Sequence, residues 1–403
     1  MDKEFNLATS TELDGEPIIH LYQTLGAEAM AKQLDGVFAF CILDVVNRKV
    51  ILGRDTYGVR PLFRFQTDEG FLGVCSEAKG LFGLSHSLSD EDVHIDAFPP
   101  GHIEIYDLDK DGRAFLKERT CFNSPGQFPL YKTKISSFSK DVKENVSRLL
   151  EAAVEKRLMA DVRIGCLLSG GLDSSLVAAL FNKLANEKGI TYPLQTFAIG
   201  LEGSPDLKAA RKVADHLGTE HHEVIMTPEE GIDAIDSVIY HLESYDITTV
   251  RASVGMFLLS KYIREKTNTK VILSGEGADE VAQGYIYFHH APSPEEGDKE
   301  SRRLLKDLYM FDVLRSDRAT AAWSLEVRVP FLDHQFSSYY LSLDPELRQP
   351  KNSIEKYLLR SAFDESDLLP KEILWRPKEA FSDGISSVSR SWYQIIQDYC
   401  QEQ

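Results

Sequence analysis

The stretch Cys166-Leu167-Leu168-Ser169-Gly170-Gly171-Leu172-Asp173-Ser174-Ser175 constrains this chain more than any other. The apolar run 162–168 predicts a buried parallel strand, and helical periodicity resumes from Leu176 onward. Between them lie two glycines, a carboxylate and several hydroxyls, which is the composition of a phosphate cradle. Gly170 and Gly171 leave room for an anion near the backbone, while the first N–H groups of the helix and its dipole point at that anion. Ser169, Ser174 and Ser175 add hydroxyl donors. A carboxylate repels a phosphate unless a cation intervenes, so Asp173 predicts Mg²⁺ bridging to phosphate oxygens. The lysine-bearing P-loop pattern is absent, and Gly275-Glu276-Gly277 does not complete a dinucleotide fingerprint. The plain alternative is a Gly-Ser turn capping an ordinary helix.

With 403 residues, 43% of them hydrophobic, the chain can bury two or three cores. Its net charge of −18 argues against a basic face for nucleic acid or membrane, so no partner of either kind is expected. The first residues are too polar for a secretory signal, and no apolar run approaches the ~18 residues of a membrane span. Five scattered cysteines without Cys-x-x-Cys spacing predict reduced thiols and a cytoplasmic protein. The pairs His221-His222 and His289-His290 lack a second ligand cluster at zinc spacing.

Residues 1 to about 120 read mostly as sheet. Runs at 36–44 and 49–53, joined by Val45-Val46-Asn47-Arg48, predict a hairpin with a buried Cys41, and shorter strands are expected at 71–75 and 101–106. Helical patterning is confined to 18–34. Two prolines and a glycine in 122–129 mark a linker, followed by an amphipathic helix carrying Val142, Val146, Leu149, Leu150 and Val154.

Strands and helices then alternate as in a parallel sheet. Strands are expected at 194–199, 222–226 and 270–273. Ser204 and Pro205 open a helix that Gly218 ends, Thr227 and Glu230 form a capping box for a helix through Leu242, and another helix spans 256–267. The strand at 270–273 runs into Ser274-Gly275-Glu276-Gly277-Ala278-Asp279-Glu280. Ligands of open parallel sheets sit at the carboxyl ends of strands, so both glycine-rich loops should face one cleft. On residues alone, a capped turn with solvated acids also accounts for the second loop. Arg251, just before the helix expected at 256, and Lys378 fit surface ion pairs as well as they fit phosphate contacts.

Specific motifs now carry a resemblance. Ser169 to Ser175 resembles the signature of the ATP pyrophosphatases. Leu34-Asp35-Gly36-Val37-Phe38-Ala39-Phe40, Gly53-Arg54-Asp55-Thr56-Tyr57-Gly58-Val59-Arg60-Pro61 and Ser76-Glu77-Ala78-Lys79 resemble the class II glutamine amidotransferase half of the asparagine synthetase family. The stretches around Arg251, Lys378 and Leu325-Glu326-Val327-Arg328-Val329-Pro330-Phe331-Leu332-Asp333 are similar to the same family, as is Gly284-Tyr285-Ile286-Tyr287-Phe288-His289.

The resemblance implies an α/β protein. A partial N-terminal-nucleophile α+β sandwich (1–121) and a linker (122–138) would precede a parallel-sheet ATP-pyrophosphatase domain (139–403). It implies adenylation of aspartate by MgATP and displacement of AMP by ammonia drawn from glutamine. Leu167, Leu168, Ser169, Gly170, Gly171, Asp173, Ser174, Ser175, Ile199, Ser274 and Gly275 would contact ATP. Asp173 and Asp279 would bind Mg²⁺, Glu276, Arg251 and Lys378 would act in catalysis, and Asp14 would hold the α-amino group of glutamine. For Asp14, residues alone favour a solvated loop acid. The Leu325 to Asp333 segment would help to close the substrate pocket. A homodimer is left open.

Three departures bear on these expectations. The family's N-terminal cysteine, upstream arginine and Asn-Gly pair have no counterpart here and the family continues beyond Gln403, so the chain is expected to be truncated at both ends and at most ammonia-dependent. The family pattern has glycine where Ser324 stands and a bulky aromatic where Ala282 stands, and either change could weaken substrate packing. A paralogue adenylating another carboxylate, such as a β-lactam-forming synthetase, and a catalytically dead binding subunit remain as alternatives.

Overall fold

The computed structural model describes residues 11, 13, 15–88, 94–378, 386 and 391–402. The chain divides into two compact units, Met1–Thr133 and Lys134–Gln403.

In the first unit, helices α1 (Glu16–Leu25) and α2 (Ala27–Ala31) replace the single helix expected over 18–34. Gly26, at φ +80°, turns the chain between them. Strands β1 (Ala39–Asp44) and β2 (Lys49–Arg54) form the expected hairpin, with Asp44 opposite Lys49. Next come β3 (Phe63–Gln66), β4 (Leu72–Cys75), helix α3 (Lys79–Leu88), β5 (Asp96–Ala97), β6 (His102–Leu108) and β7 (Ala114–Cys121). The sequence reading missed β3, β5, β7 and α3. Two antiparallel sheets result, ordered β1-β2-β6-β7 and β4-β3-β5. Alternation along β2 divides two cores. Ile51 packs with Leu21, Met30 and Ile103 beneath α1 and α2, whereas Leu52 packs with Leu62, Phe98 and Tyr106 against the smaller sheet. Cys41, expected to be buried, is exposed. Asp14 lies outside the described residues.

The second unit opens with α4 (Val142–Lys156), capped by Asp141, whose carboxylate accepts from the Lys143 N–H at 2.8 Å. Strand β8 (Ile164–Leu167), helix α5 (Leu172–Glu187), strand β9 (Gln195–Gly200), helix α6 (Pro205–Leu217) and strand β10 (Glu220–Ile225) follow. Ser204 caps α6 and Gly218, at φ +67°, ends it, as the sequence predicts. The Thr227–Glu230 capping box also forms, but the helix it opens breaks at Ala234 into α7 (Pro228–Asp233) and α8 (Ile235–Leu242).

Helix α9 (Ile247–Lys266) begins well before the expected position, because the Asp246 side chain accepts from the Thr249 N–H at 2.8 Å. Arg251 therefore lies inside a helix rather than just before one. The chain continues through β11 (Val271–Leu273), α10 (Ala278–Ala282), α11 (Pro294–Asp307), α12 (Asp312–Ala321), β12 (Glu326–Arg328) and α13 (His334–Ser342). It ends with α14 (Pro345–Arg348), α15 (Tyr357–Ala362), α16 (Lys371–Leu374) and α17 (Trp392–Glu402).

The five strands are parallel and ordered β10-β9-β8-β11-β12. From β8 the chain winds outward through β9 to β10, then returns to the other side of β8 as β11. Right-handed crossovers therefore place α5 and α6 on one face and α9 on the other, where Phe197, Ile199, Val254, Met256 and Ile272 share a core. The winding direction reverses between β8 and β11, so the loops leaving these two strands diverge and leave a crevice. Among the described residues no helix is long and apolar enough to cross a membrane.

Candidate active site

Both glycine-rich loops leave the sheet at this crevice, and they touch. A Cβ added at Gly275 would stand 2.9 Å from the Asp173 Cβ and from the Ser174 N, so only glycine lets the second loop lie against the start of α5. At Gly170, φ is +73°, and a Cβ there would come within 2.5 Å of Ala209 on α6, so this glycine admits the neighbouring helix. Gly171 faces open space apart from the Ser169 Oγ at 3.3 Å, and it is the position where an anion can approach the backbone. Helix α5 starts at Leu172 with no side chain capping its first N–H groups. The hydroxyls of Ser169 and Ser174 lie 3.1 Å apart beside them.

A cavity of about 270 Å³ lies at this junction. Leu167, Leu168, Ser169, Gly171, Asp173, Ser174, Ile199, Arg251, Ser274, Gly275, Glu276, Asp279 and Lys378 all line it. Gly170 and Ser175 do not. Ser175 is fully buried, and its Oγ has no hydrogen-bond partner. Leu167, Phe197, Ile199, Met256 and Leu259 give the cavity an apolar wall that suits a flat heteroaromatic ring. Thr248, Arg251, Ala252, Met256 and Leu259 recur at three and four residues, so a single face of α9 supplies that side.

The charged part of the cavity centres on Lys356, which sequence reading missed. Its Nζ lies 2.5 Å from Asp173 Oδ2 and 2.6 Å from Asp279 Oδ1, and Lys378 Nζ lies 2.5 Å from Asp279 Oδ2. Burial alone would raise the Asp279 carboxyl, but the two ammonium groups hold it well below the usual carboxylate range. The same carboxylates raise Lys378 above its ordinary value despite its burial. An ion pair from Arg376 to Asp206 at 2.8 Å ties the segment that presents Lys378 to the first turn of α6. Residues 379–384, which belong to the same motif, lie outside the described residues.

A second polar group also escaped the sequence reading. Arg315 on α12 lies 2.9 Å from Glu276 and 2.5 Å from Asp312, while the Tyr285 hydroxyl donates to Glu280 and, at 3.3 Å, to Asp312. Burial pushes Glu276 up to about 7 against the pull of Arg315, and burial with Asp312 and Asp279 pushes Glu280 up to about 8. Nothing local marked Arg315 or Lys356, since each is a basic residue in an ordinary polar stretch. Their roles come from segments that packing brings together.

Mg²⁺ fits the donor set in one respect that the geometry tests. Asp173 and Asp279 converge on one cation-sized point, now marked by the Lys356 ammonium, and no third His, Cys, Asp or Glu joins them among the described residues. Two carboxylates with phosphate oxygens and water completing the shell is a usual way to hold Mg²⁺.

The segment 325–333 does not line the cavity. It forms the sheet edge at β12, and Leu332 occupies the space a side chain at Gly277 would need, so it supports the acidic loop from behind. Asp333, paired with Lys156 at 2.8 Å and Arg157 at 3.1 Å, anchors α13 to α4. Ser324 and Ala282 also lie away from the cavity lining.

The family described as Asparagine synthase matches residues 145–299 and 292–403, and the family described as Glutamine amidotransferase domain matches residues 3–102. The chain is 62% identical over 410 residues to "Asparagine synthetase [glutamine-hydrolyzing]" of Gallus gallus, covering 100% of this chain and 73% of that protein. It is 59% identical over 410 residues to the protein of the same name from Homo sapiens, with the same coverage. Among solved structures, the NH3-dependent NAD synthetase from Campylobacter jejuni matches 42% of this chain and 77% of its own at 19% identity, with a TM-score of 0.26. By sequence over its full length, this chain belongs to the asparagine synthase family.

Proposed function

We propose that this chain catalyses the ATP-dependent amidation of aspartate to asparagine, in the cytosol, through the cavity between the loops at Ser169 and Ser274. The observation that carries this reading is the contact of those loops at Gly275, which sets a phosphate cradle beside two converging carboxylates. A carboxylate at neutral pH has no leaving group, so it must first be activated. The β-carboxylate oxygen of aspartate attacks the α-phosphorus of ATP, the α–β P–O bond breaks, and pyrophosphate leaves with the electron pair. Ammonia then attacks the acyl carbon of β-aspartyl-AMP, AMP departs, and the added nitrogen loses a proton.

Leu167, Leu168 and Ile199 hold the adenine against the apolar wall. Ser169, Gly171 and Ser174 orient the phosphates at the start of α5, with Ser274 and Gly275 closing the opposite side. Mg²⁺ held by Asp173 and Asp279 would neutralise charge on the phosphate oxygens. Arg251 and Lys378 stabilise the charge that develops on pyrophosphate, and Glu276 supports formation of the acyl-adenylate beside Arg315. Asp14, in the amidotransferase unit (1–121, with a linker at 122–138), is assigned to the glutamine α-amino group. The nitrogen donor is glutamine or ammonia.

Exchange of labelled pyrophosphate into ATP, run with a panel of carboxylic acids, tests the reading. Exchange supported by aspartate alone is expected. Exchange with another acid instead, or none at all with ATP bound, overturns the assignment.

A further inference from the structure

Arg251 lines the cavity, yet it forms no ion pair among the described residues, and its buried Nε has no hydrogen-bond partner. Every other basic side chain in the cavity lining is paired with a carboxylate: Lys356 with Asp173 and Asp279, Lys378 with Asp279, Arg315 with Glu276 and Asp312, Arg360 with Glu355, and Arg376 with Asp206. A guanidinium with no carboxylate partner is the one most available to an incoming anion. It is also the one with least to fix its rotamer, and an arginine loses much of its binding contribution when several rotamers compete.

The C-terminal helix supplies what the carboxylates do not. Trp392, fully buried at the start of α17, donates its indole Nε1–H to the Arg251 carbonyl at 3.1 Å and occupies the space a side chain at Gly231 would need. The next residue, Tyr393, sets its ring against the guanidinium, with the Arg251 Cζ 5.5 Å from the ring centroid. Trp392 therefore fixes the main chain at residue 251, and the face of Tyr393 fixes the direction of its side chain. An aromatic face orients a cation without neutralising it, so the full charge stays available to phosphate.

We infer that Tyr393 is a positioning residue for the phosphate-binding cation Arg251, so that the C-terminal helix presets the anion side of the active site. This rests on the function proposed above for the cavity, but its test does not require turnover.

Calorimetric titration of the full chain with inorganic pyrophosphate compares the parent with Tyr393→Phe and Tyr393→Leu. Tyr393 is 44% exposed, so both variants should keep the parent's melting temperature. The phenyl ring preserves the cation–π face, whereas leucine preserves apolar volume without it. Pyrophosphate affinity is expected to fall roughly three- to tenfold in Tyr393→Leu and to stay near the parent's in Tyr393→Phe. In an Arg251→Met background, Tyr393→Leu should cause no further loss. Unchanged affinity in Tyr393→Leu, equal losses in both ring variants, or no pyrophosphate binding by the parent would each overturn the inference. Aspartate-dependent exchange, measured on the same samples, reports separately on the proposed function: a parent that binds pyrophosphate through Arg251 and Tyr393 but exchanges none loses that function while keeping the positioning role.

Discussion

Asp173, at the start of α5, and Asp279, in the first turn of α10, share one cation, the Nζ of Lys356, at 2.5 and 2.6 Å. The two residues follow different loops that diverge from neighbouring strands, and only the absence of a side chain at Gly275 lets those loops meet. Lys356 itself sits at φ +54°, a conformation disfavoured for a non-glycine residue, at the start of α15. Its ammonium keeps two partly buried acids from repelling one another, and it marks the point where a divalent ion would compete for them.

The two aspartates should therefore respond differently to loss of charge. Asp279→Asn leaves the buried ammonium of Lys356 and the partly buried one of Lys378 with a single carboxylate between them, and it should cost about 3 kcal/mol or more of stability. Asp173→Asn leaves Lys356 paired with Asp279, so its stability loss should be clearly smaller. Both should lower pyrophosphate exchange by about a hundredfold or more. Urea denaturation and exchange assays on the two variants check this, and an Asp173→Asn enzyme exchanging at the parent's rate would count against metal binding there.

Ser324 bears on stability rather than on substrate packing. It follows α12 at φ +57°, where Leu325 donates its N–H back to the Thr320 carbonyl at 3.1 Å, a helix ending that favours glycine. Ser324→Gly should stabilise the chain by about 0.5–1 kcal/mol and leave the KM for aspartate unchanged. The shift of the denaturation midpoint measures the first, and initial rates measure the second.

Acid should unfold this protein partly through His221. Burial, with a smaller contribution from Arg211, pushes its imidazole down to about 4, whereas the unfolded chain titrates near 6.5. As pH falls between those values the unfolded state takes up the proton first, so the stabilising contribution is complete above pH ~6.5 and is lost progressively towards pH 4. His221→Gln, which keeps a hydrogen-bonding group beside Thr196, should flatten the dependence of stability on pH in this window, by up to about 1.4 kcal/mol per pH unit. An unchanged slope would show that His221 does not bear this load.

The local chemistry of this protein was legible in its sequence. The strand-loop-helix at Ser169, the acidic loop after Leu273, the hairpin across Val45 to Arg48, and the caps at Ser204, Gly218 and Thr227 all appear where the residues place them. Each depends on groups only a few positions apart, such as a hydroxyl reaching an N–H three residues on, an apolar repeat, or a glycine at positive φ. Arg251 shows where such reading stops. The cap at Asp246 outweighed weak periodicity and moved the helix start nine residues towards the amino terminus of the expected 256, turning Arg251 onto the face that lines the cavity.

What tertiary structure alone decided is which polar groups meet. Lys356 and Asp173 are 183 positions apart, Arg315 and Glu276 are 39 apart, and Trp392 and Arg251 are 141 apart. A lysine or arginine satisfied by water looks the same in sequence as one buried between carboxylates. The free energy that separates the two states is desolvation, and it arises only when distant segments pack together and exclude the solvent.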